Sequence, residues 1–262
     1  MLQLKKSIRL RCLNQPFKKA IVTAAEIGAD AIELSGHTHV RPAEMGRTAV
    51  RHLRKMLSDL NLTVSAIHFP TRRGYGNTDD LDERIDATKK TISMAYDLGC
   101  QLVVNRIGAI SDDVQSVERQ TMVQALTDIG NHSQRAGAWL AATTGSESDE
   151  TLRGLIDSLP AMSIVVDFDP GDLLINGFSA DDSIRHLGEN VMNFRVRDAV
   201  RDLAMGRGLE VQLGRGSIDW ASLLSVLEEK NYKGYLAVDR TAESDPVVEC
   251  GQAIEYLTNM FR

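Results

Sequence analysis

The segment Ser163–Asp172 reads Ser-Ile-Val-Val-Asp-Phe-Asp-Pro-Gly-Asp, a short β-branched run that ends in two alternate acids before Pro170 and Gly171. Such a run is typical of a strand that is buried on both faces. Because side chains alternate along a strand, Asp167 and Asp169 are predicted to share one face. An acidic residue at the carboxyl end of a buried strand is poorly explained by packing. We therefore interpret this end as part of a functional site.

Strand-like and helical patterns alternate from one end of the chain to the other. The predicted strands are Ile8–Leu13, Ala31–Ser35, Thr63–Phe69, Gln101–Ile107, Ala138–Thr143, the segment above, Met192–Val196 and Gly234–Arg240. The predicted helices run from Pro16 to Gly28, up to Leu60, and over Leu81–Leu98, Val114–Ala136, Glu150–Leu159, Asp181–Leu187, Asp219–Lys230 and Pro246–Phe261. A long loop containing several glycines joins the seventh strand to Asp219.

This strict alternation predicts a parallel sheet with helices packed against it. Eight units in 262 residues fit a closed (β/α)8 TIM barrel, formed as a single domain over residues 1–262. The open doubly wound sheet is the alternative. It would usually have a glycine-rich turn after the first strand, and the sequence Leu-Asn-Gln-Pro at positions 13–16 is not such a turn.

Composition limits the classes of function. The formal net charge of −6 argues against a nucleic-acid-binding protein, which would normally carry a basic surplus. The three cysteines, Cys12, Cys100 and Cys250, have no metal-binding or redox spacing, which indicates a reducing compartment. No apolar run approaches the roughly 20 residues of a membrane helix, and the N-terminus lacks the apolar core of a signal peptide. We expect a cytoplasmic protein with no membrane partner.

Charged and polar side chains recur at the predicted carboxyl ends of the strands, where barrel enzymes place their sites. Those assigned to the barrel interior are Arg11, Glu33, Ser35, His68, Asn105 or Arg106, Thr143, Asp167, Asp169, Arg195, Arg197 and Asp239. One or two inward charges are compatible with a buried ion pair. A ring of them is costly unless the charges are paired or used, so we interpret the ring as a ligand site.

Several short motifs carry a resemblance to a known family. They are Leu140–Ser148 with Thr151 and Leu152, Phe168–Pro170, Arg197–Ala199, Leu213–Trp220 and Tyr232–Tyr235. On these motifs the chain resembles the sugar phosphate isomerase/epimerase family, the xylose isomerase-like barrels that also include endonuclease IV. The resemblance covers nearly the whole chain. It implies a barrel whose carboxyl end acts on a small sugar or polyol-like molecule.

Members of this family typically hold a divalent metal, such as Mg, Mn or Zn, with Glu, Asp, His and Glu side chains on strands five to eight. The resemblance places Thr143, Asp169, Arg195 and Asp239 at these positions. Threonine is a weak neutral donor, and a guanidinium has only N–H groups and cannot ligate a metal. We hypothesise that Arg195 fills the place of the metal and bridges Asp169 and Asp239. In the alternative, Arg195 points elsewhere and a metal binds Asp169, Asp239 and water.

The same substitutions bear on chemistry. Isomerisation needs a base near the carbon acid and a cation for the enolate oxygen, roles for which Asp239 and Arg195 are candidates. His68 is a second candidate acid/base, although a structural lumen histidine explains it equally well. The predicted ligand-binding residues are Glu33, Arg72, Arg106, Thr143, Asp169, Arg197 and Arg240. The arginines favour a phosphorylated or carboxylated ligand, unless they pair with Glu210, Asp198 and Asp202.

Two functions therefore remain open. The first is an isomerase, epimerase or dehydratase with an altered or absent metal, and the second is a barrel that binds or regulates without catalysis. An endonuclease IV-like repair enzyme is disfavoured because its several zinc ions need histidines that the strand ends lack. The sequence does not decide the oligomeric state, and a homo-oligomer is compatible with it.

Overall fold

The computed structural model describes residues 5–202, 207–241 and 245–260. Its strands are β1 (Lys5–Arg9), β2 (Ala31–Ser35), β3 (Thr63–His68), β4 (Leu102–Asn105), β5 (Trp139–Thr143), β6 (Val165–Phe168), β7 (Val191–Val196), β8 (Asp198–Asp202), β9 (Arg207–Val211) and β10 (Tyr235–Val238). All strands except β8 and β9 close a barrel in the order β1-β10-β7-β6-β5-β4-β3-β2. Every pair of neighbouring barrel strands is parallel, which confirms the predicted (β/α)8 fold.

The helices are α1 (Phe17–Glu26), α2 (Arg47–Asp59), α3 (Leu81–Asp97), α4 (Val117–Ala136), α5 (Asp149–Asp157), α6 (Pro170–Ile175), α7 (Ala180–Leu187), α8 (Trp220–Glu229) and α9 (Pro246–Met260). Local chemistry fixes several helix starts: Ser116, Ser148 and Ser179 each accept a hydrogen bond from a backbone N–H in the first turn of the helix that follows. Gly137 ends α4 with a positive φ of 79°. The predicted helix end at Phe261 lies outside the described residues.

The first strand is shorter than predicted. It ends at Arg9, and a 3-10 turn over Leu10–Leu13 takes the chain away from the barrel because Leu10 and Leu13 are both buried there. Arg9 therefore occupies the carboxyl end of β1, and Arg11, which we had assigned to the interior, is exposed. The prediction for Arg11 is wrong because it extended the alternation of inward and outward side chains beyond Arg9, where the strand ends.

Two further elements stand where loops were predicted. Helix α6 begins directly after Asp169, whose side chain accepts a hydrogen bond from the backbone N–H of Asp172 at 2.9 Å. Strands β8 and β9 form an antiparallel hairpin within the long loop after β7, and Asp198 pairs with Val211 in its register. The hairpin packs against α6, so both additions lie at the carboxyl end of the barrel.

The apolar core lies between the strands and the surrounding helices. Ile8, Ile32, Phe168 and Phe194 are completely buried there, and the rings of Phe168 and Phe194 stack at a centroid distance of 5.4 Å. Alternate residues on the same strands therefore face the barrel interior, where the polar side chains collect. No helix in the described ranges combines the length and apolar character needed to span a membrane.

The loop after β3 depends on one glycine. Gly74 has a φ of +64°, and a Cβ atom there would lie 2.4 Å from the Cα of Gly108. We expect Gly74→Ala to lower the free energy of unfolding by about 2 kcal/mol or more, because backbone strain and a backbone clash add. Gly154→Ala in α5, where a Cβ would meet nothing within 4 Å, should raise it by about 0.5–1 kcal/mol. Urea denaturation measures both, and equal effects would contradict this account.

Candidate functional site

The guanidinium of Arg195 lies at the centre of the carboxyl end of the barrel, surrounded by three carboxylates. Its Nε donates to Asp167 Oδ2 at 2.8 Å, and its Nη1 donates to Asp239 Oδ2 at 2.5 Å. Its Nη2 lies 3.4 Å from Glu33 Oε2. The Arg195 side chain is only 2% exposed, so it interacts with these carboxylates out of contact with bulk water. We call Arg9, Glu33, Asp167, Arg195 and Asp239 the inner cluster.

Arg9 is the second cation of the inner cluster, and we had not predicted its role. Its Nη1 donates to Asp239 Oδ2 at 2.7 Å, and its Nε lies 3.3 Å from Glu33 Oε1. Its Nη2 lies 2.9 Å from the ring nitrogens of His68 and donates to the imidazole. The cluster therefore combines three acids with two arginines. Removing Arg195 would leave the buried Asp167 without a cation, which is strongly destabilising in proteins, whereas Glu33 and Asp239 each contact both arginines.

Two neutral side chains complete the surroundings of Asp167. Thr143 donates its hydroxyl to Asp167 Oδ2 at 2.6 Å, and Asn193 donates its amide to Asp167 Oδ1 at 2.7 Å. With Arg195, both oxygens of Asp167 are hydrogen-bonded, which suits a buried carboxylate. The Glu33 oxygens have no aligned hydrogen bond and only the two ion-pair contacts. Thr143 therefore lies at the site as a support for Asp167.

Electrostatics decide the protonation states. Burial alone would raise the pKa of Asp239, but Arg195 and Arg9 outweigh burial and hold the pKa well below its usual range. At Glu33, burial dominates over the same two arginines, and the pKa is raised. Burial, reinforced by the charges of Arg9 and Arg195, lowers the pKa of His68 to about 2. Asp239 is thus a firmly ionised carboxylate and His68 a neutral acceptor at neutral pH.

A second group of charges surrounds the inner cluster. Arg197 donates from Nη1 to Asp169 Oδ2 at 3.1 Å and from Nε to Glu210 Oε2 at 2.9 Å. Arg240 donates from Nη1 to Glu210 Oε1 at 2.7 Å and from Nε to Glu249 Oε2 at 3.0 Å. We call this group the outer cluster; its members are Arg106, Asp169, Asp172, Arg197, Glu210, Arg240 and Glu249.

The remaining contacts of the outer cluster involve Asp172 and Arg106. Arg197 Nη1 lies 3.7 Å from Asp172 Oδ1, and Arg106 forms a close ion pair with the other oxygen of Asp172. The side chain of Arg106 is 49% exposed, in contrast to the buried Asp172. Arg106 is therefore the most accessible cation of this cluster.

The predicted bridge of Arg195 is half confirmed. Its partner Asp239 is as expected, but its second partner is Asp167, and the prediction of Asp169 is wrong. Asp169 lies beyond the end of β6, where it caps α6 and pairs with Arg197. The helix turns the chain away immediately after Phe168, so period-2 alternation no longer applies to Asp169.

The structure distributes the other predicted site residues in two layers. Glu33, Thr143 and Asp169 are buried, while His68, Arg197, Arg240 and Asp239 are partly exposed at the rim. Arg72 is exposed and has no ion pair among the residues that the structure describes. Arg197 and Arg240 both pair with Glu210, as in the alternative to a ligand site that the sequence left open. Asp198 instead accepts hydrogen bonds from the backbone N–H groups of Gly214 and Gly216.

These positions do not suit a divalent metal. The centre of the three inner carboxylates is filled by Arg195, which carries a positive charge and no lone pair for a metal. In the described ranges, one group of three metal-ligating residue types brings its donor atoms within 4.8 Å, and it consists of Asp149, Glu150 and His186. That group lies on α5 and α7, outside the barrel. The residues at the mouth therefore do not fit the family's metal ion.

Comparison with known proteins gives both a family and structural relatives. The sequence model of one family, described as Xylose isomerase-like TIM barrel, matches residues 21–260. A xylose isomerase domain protein from Planctomyces limnophilus is similar with a TM-score of 0.84 and 20% identity, over 98% of this chain and 96% of that one. No curated protein sequence has significant similarity to the chain.

Two other solved structures bear on ligands. A xylose isomerase-like TIM barrel protein from Mycobacterium smegmatis, in complex with magnesium, has a TM-score of 0.78 and 14% identity over 98% of this chain and 95% of that one. D-psicose 3-epimerase from Clostridium cellulolyticum H10, with D-tagatose, has a TM-score of 0.78 and 12% identity over 98% and 99%. Identities this low establish a shared fold.

Asp169 generates a testable pH dependence. Burial raises its pKa to about 6, Arg197 opposes the rise and Asp172 adds to it. The unfolded chain loses this proton near pH 3.9, so the native state binds more protons between about pH 4 and 6. The contribution of Asp169 to the free energy of unfolding is therefore largest below about pH 4 and falls as the pH rises to about 6, by about 2–3 kcal/mol.

We expect Asp169→Asn, which keeps an oxygen for the helix cap, to remove this fall in a series of urea denaturation curves between pH 4 and pH 7. Asp157→Asn, on the exposed side of α5, controls for the loss of one surface carboxylate. A pH dependence of unfolding free energy that is the same in wild type and Asp169→Asn would contradict the assignment.

Proposed function

Because the chain belongs to the xylose isomerase-like TIM barrel family, we propose that its barrel mouth binds a small sugar or polyol-type ligand, with Arg195 in the place of the usual metal ion. A D-psicose 3-epimerase with a similar fold has been solved with D-tagatose, which supports a ligand of this class. The observation that carries the proposal is the contact of the buried Arg195 guanidinium with Asp167 and Asp239 at 2.8 and 2.5 Å. A guanidinium stays protonated at every physiological pH, so it supplies fixed positive charge.

The rim supplies groups that suit hydroxyls. The side chains of Arg9 and Asp239 are 16% and 13% exposed, and His68 beside them is also partly exposed. A ligand from solvent would meet an N–H donor, a carboxylate acceptor and a neutral ring within a few ångströms of one another. Hydroxyl groups both donate and accept hydrogen bonds, so a polyol matches such a mixed set. Glu33 holds Arg9 through an ion pair at 3.3 Å, and Thr143 supports Asp167 behind these groups.

The electrostatics favour binding without proton transfer as the main function. A general base works best when its pKa lies near the operating pH. Burial would raise the pKa of Asp239, but Arg195 and Arg9 outweigh burial and hold this pKa well below its usual range. Burial and the same two arginines lower the pKa of His68 to about 2. Both groups are also engaged by Arg9. We therefore favour a binding or regulatory barrel.

An isomerase or epimerase is the second candidate, and one observation favours it. Arg195 and Asp239 form a direct contact of 2.5 Å, which places a permanent cation beside a carboxylate. In an enolisation, Asp239 would take the proton from carbon and Arg195 would stabilise the oxyanion, with no metal required. A dehydratase would use the same pair.

We place this activity in the cytoplasm and assign it to residues 1–262 as one domain. Cys12, Cys100 and Cys250 are all free thiols in the structure, which supports a reducing compartment. Burial raises the pKa of the Cys100 thiol to about 12, so this cysteine is an inert core residue.

The replacement of the metal can be tested by calorimetry. We expect EDTA-treated wild type to show no micromolar binding of Mn²⁺, because the positive Arg195 side chain occupies the centre. The double variant Thr143→Glu/Arg195→His, which restores two of the family's ligand types, should gain measurable Mn²⁺ binding. Thermal melts check that it folds. Micromolar binding by wild type that is abolished in Asp169→Ala would refute the replacement.

The choice between binding and catalysis can be made with D-tagatose. We expect wild type to bind the sugar in calorimetry and to leave its carbon-bound protons unexchanged in D2O, as followed by NMR. Asp239→Asn should then only alter the affinity. Proton exchange by wild type that is lost in Asp239→Asn would establish the isomerase candidate instead, and no binding of any ketohexose would contradict both.

A further inference from the structure

The carboxylate of Glu210 lies at the rim of the barrel between Arg197, Arg240 and the backbone of Thr241, and we call this position the seat. Its Oε2 accepts from Arg197 Nε at 2.9 Å, and its Oε1 accepts from Arg240 Nη1 at 2.7 Å. The backbone N–H of Thr241 donates to the same Oε1 at 2.9 Å. Three donors thus hold one carboxylate, and its side chain is only 12% exposed.

All three donors belong to the barrel, whereas the carboxylate does not. Arg197 directly follows β7, and Arg240 and Thr241 follow β10, so the donors come from the last two strands of the barrel. Glu210 comes from β9 of the added hairpin. Two guanidiniums and a backbone N–H converging on one point form a typical recognition site for a carboxylate or phosphate group.

We propose that this seat is an anion site for the ligand, and that Glu210 occupies it as an internal substitute until a carboxylate or phosphate group displaces it. The inference rests on the proposed function and adds the ligand's class: a sugar or polyol that carries an anionic group. The charge of Arg197 also acts on Asp239, which Arg9 contacts at 2.7 Å, so an anion at the seat would bring the rest of the ligand close to Asp239 and Arg9.

The seat keeps its shape when Glu210 leaves. Arg197 retains Asp169 at 3.1 Å and Asp172 at 3.7 Å, and Arg240 retains Glu249 at 3.0 Å. Both guanidiniums are therefore held in position by acids that do not take part in the exchange. A ligand carboxylate that replaces Glu210 also leaves the charge of the outer cluster unchanged, so no buried charge is left uncompensated.

An external anion can bind only while Glu210 is out of the seat. The apparent affinity for the anion is therefore the intrinsic affinity multiplied by the fraction of time for which the seat is free. Removing Glu210 should therefore expose an affinity that wild type conceals. If the ion pair is merely structural, Arg197 and Arg240 turn to Asp169 and Glu249 once Glu210 is removed, and no gain in anion affinity results.

The experiment is calorimetric titration with inorganic phosphate, and in parallel with acetate, at constant ionic strength. We expect Glu210→Ala to bind one of the two anions at least about tenfold more tightly than wild type. The anion with the larger gain identifies a phosphorylated or a carboxylated ligand. Glu255→Ala is the control: it removes one negative charge from an exposed position of α9 but leaves Glu210 and Glu249 in place, so it should change the affinity less than about twofold.

Glu210→Ala/Arg240→Ala should lose the gain, and thermal melts show whether each variant is folded. The proposal is overturned if folded Glu210→Ala gains no affinity, or if Glu255→Ala gains as much, since the effect would then come from the net charge of the protein. Binding of D-tagatose is scored separately. If D-tagatose binds but Glu210→Ala does not bind the anion more tightly, the anion site alone is refuted. If Glu210→Ala binds the anion more tightly but D-tagatose does not bind, the proposed function alone is refuted.

Discussion

The barrel mouth is organised around one constraint, the cost of burying charge. Arg195 contacts Asp167, Asp239 and Glu33 within 3.4 Å, and of these four side chains only Asp239 is partly exposed. A buried charge persists only when a partner of opposite sign is held close. The contact therefore connects β2, β6, β7 and the end of β10 across the lumen. The shape of the mouth depends on it.

The same pairing limits the chemistry. Arginines that neutralise Asp239 also stabilise its ionised form, so the carboxylate is a weak base, and they suppress the protonation of His68. A metal-dependent proton shuttle needs the opposite arrangement, with carboxylates that give lone pairs to a cation and keep basicity for the substrate. This difference is the electrostatic basis of the proposal that the barrel mouth binds a polar ligand and does not transfer protons.

Arg195 lies in β7 and Arg197 directly follows that strand, and the two arginines belong to different layers. Arg195 is buried in the inner cluster, whereas Arg197 reaches the rim, where the hairpin supplies Glu210. Each cluster contains one more acid than it has arginines, and neither can lose a cation cheaply. The hairpin is an addition to the eight-stranded barrel, and through Glu210 it contributes one carboxylate to the outer cluster.

Local patterns in the sequence determined the alternating elements, the closed barrel and the inward direction of Arg195, and the bounds Ala31–Ser35 of the second strand agree with the structure. These features follow from the spacing of apolar residues, which repeats every 2 residues in a strand and every 3.6 residues in a helix and can be read from neighbouring positions. Only the tertiary structure decided that β1 stops at Arg9, that Asp167 rather than Asp169 pairs with Arg195, and that α6 and the hairpin fill the loops. Ion-pair partners and strand ends depend on which distant side chains share a desolvated space, and the local period carries no information about that.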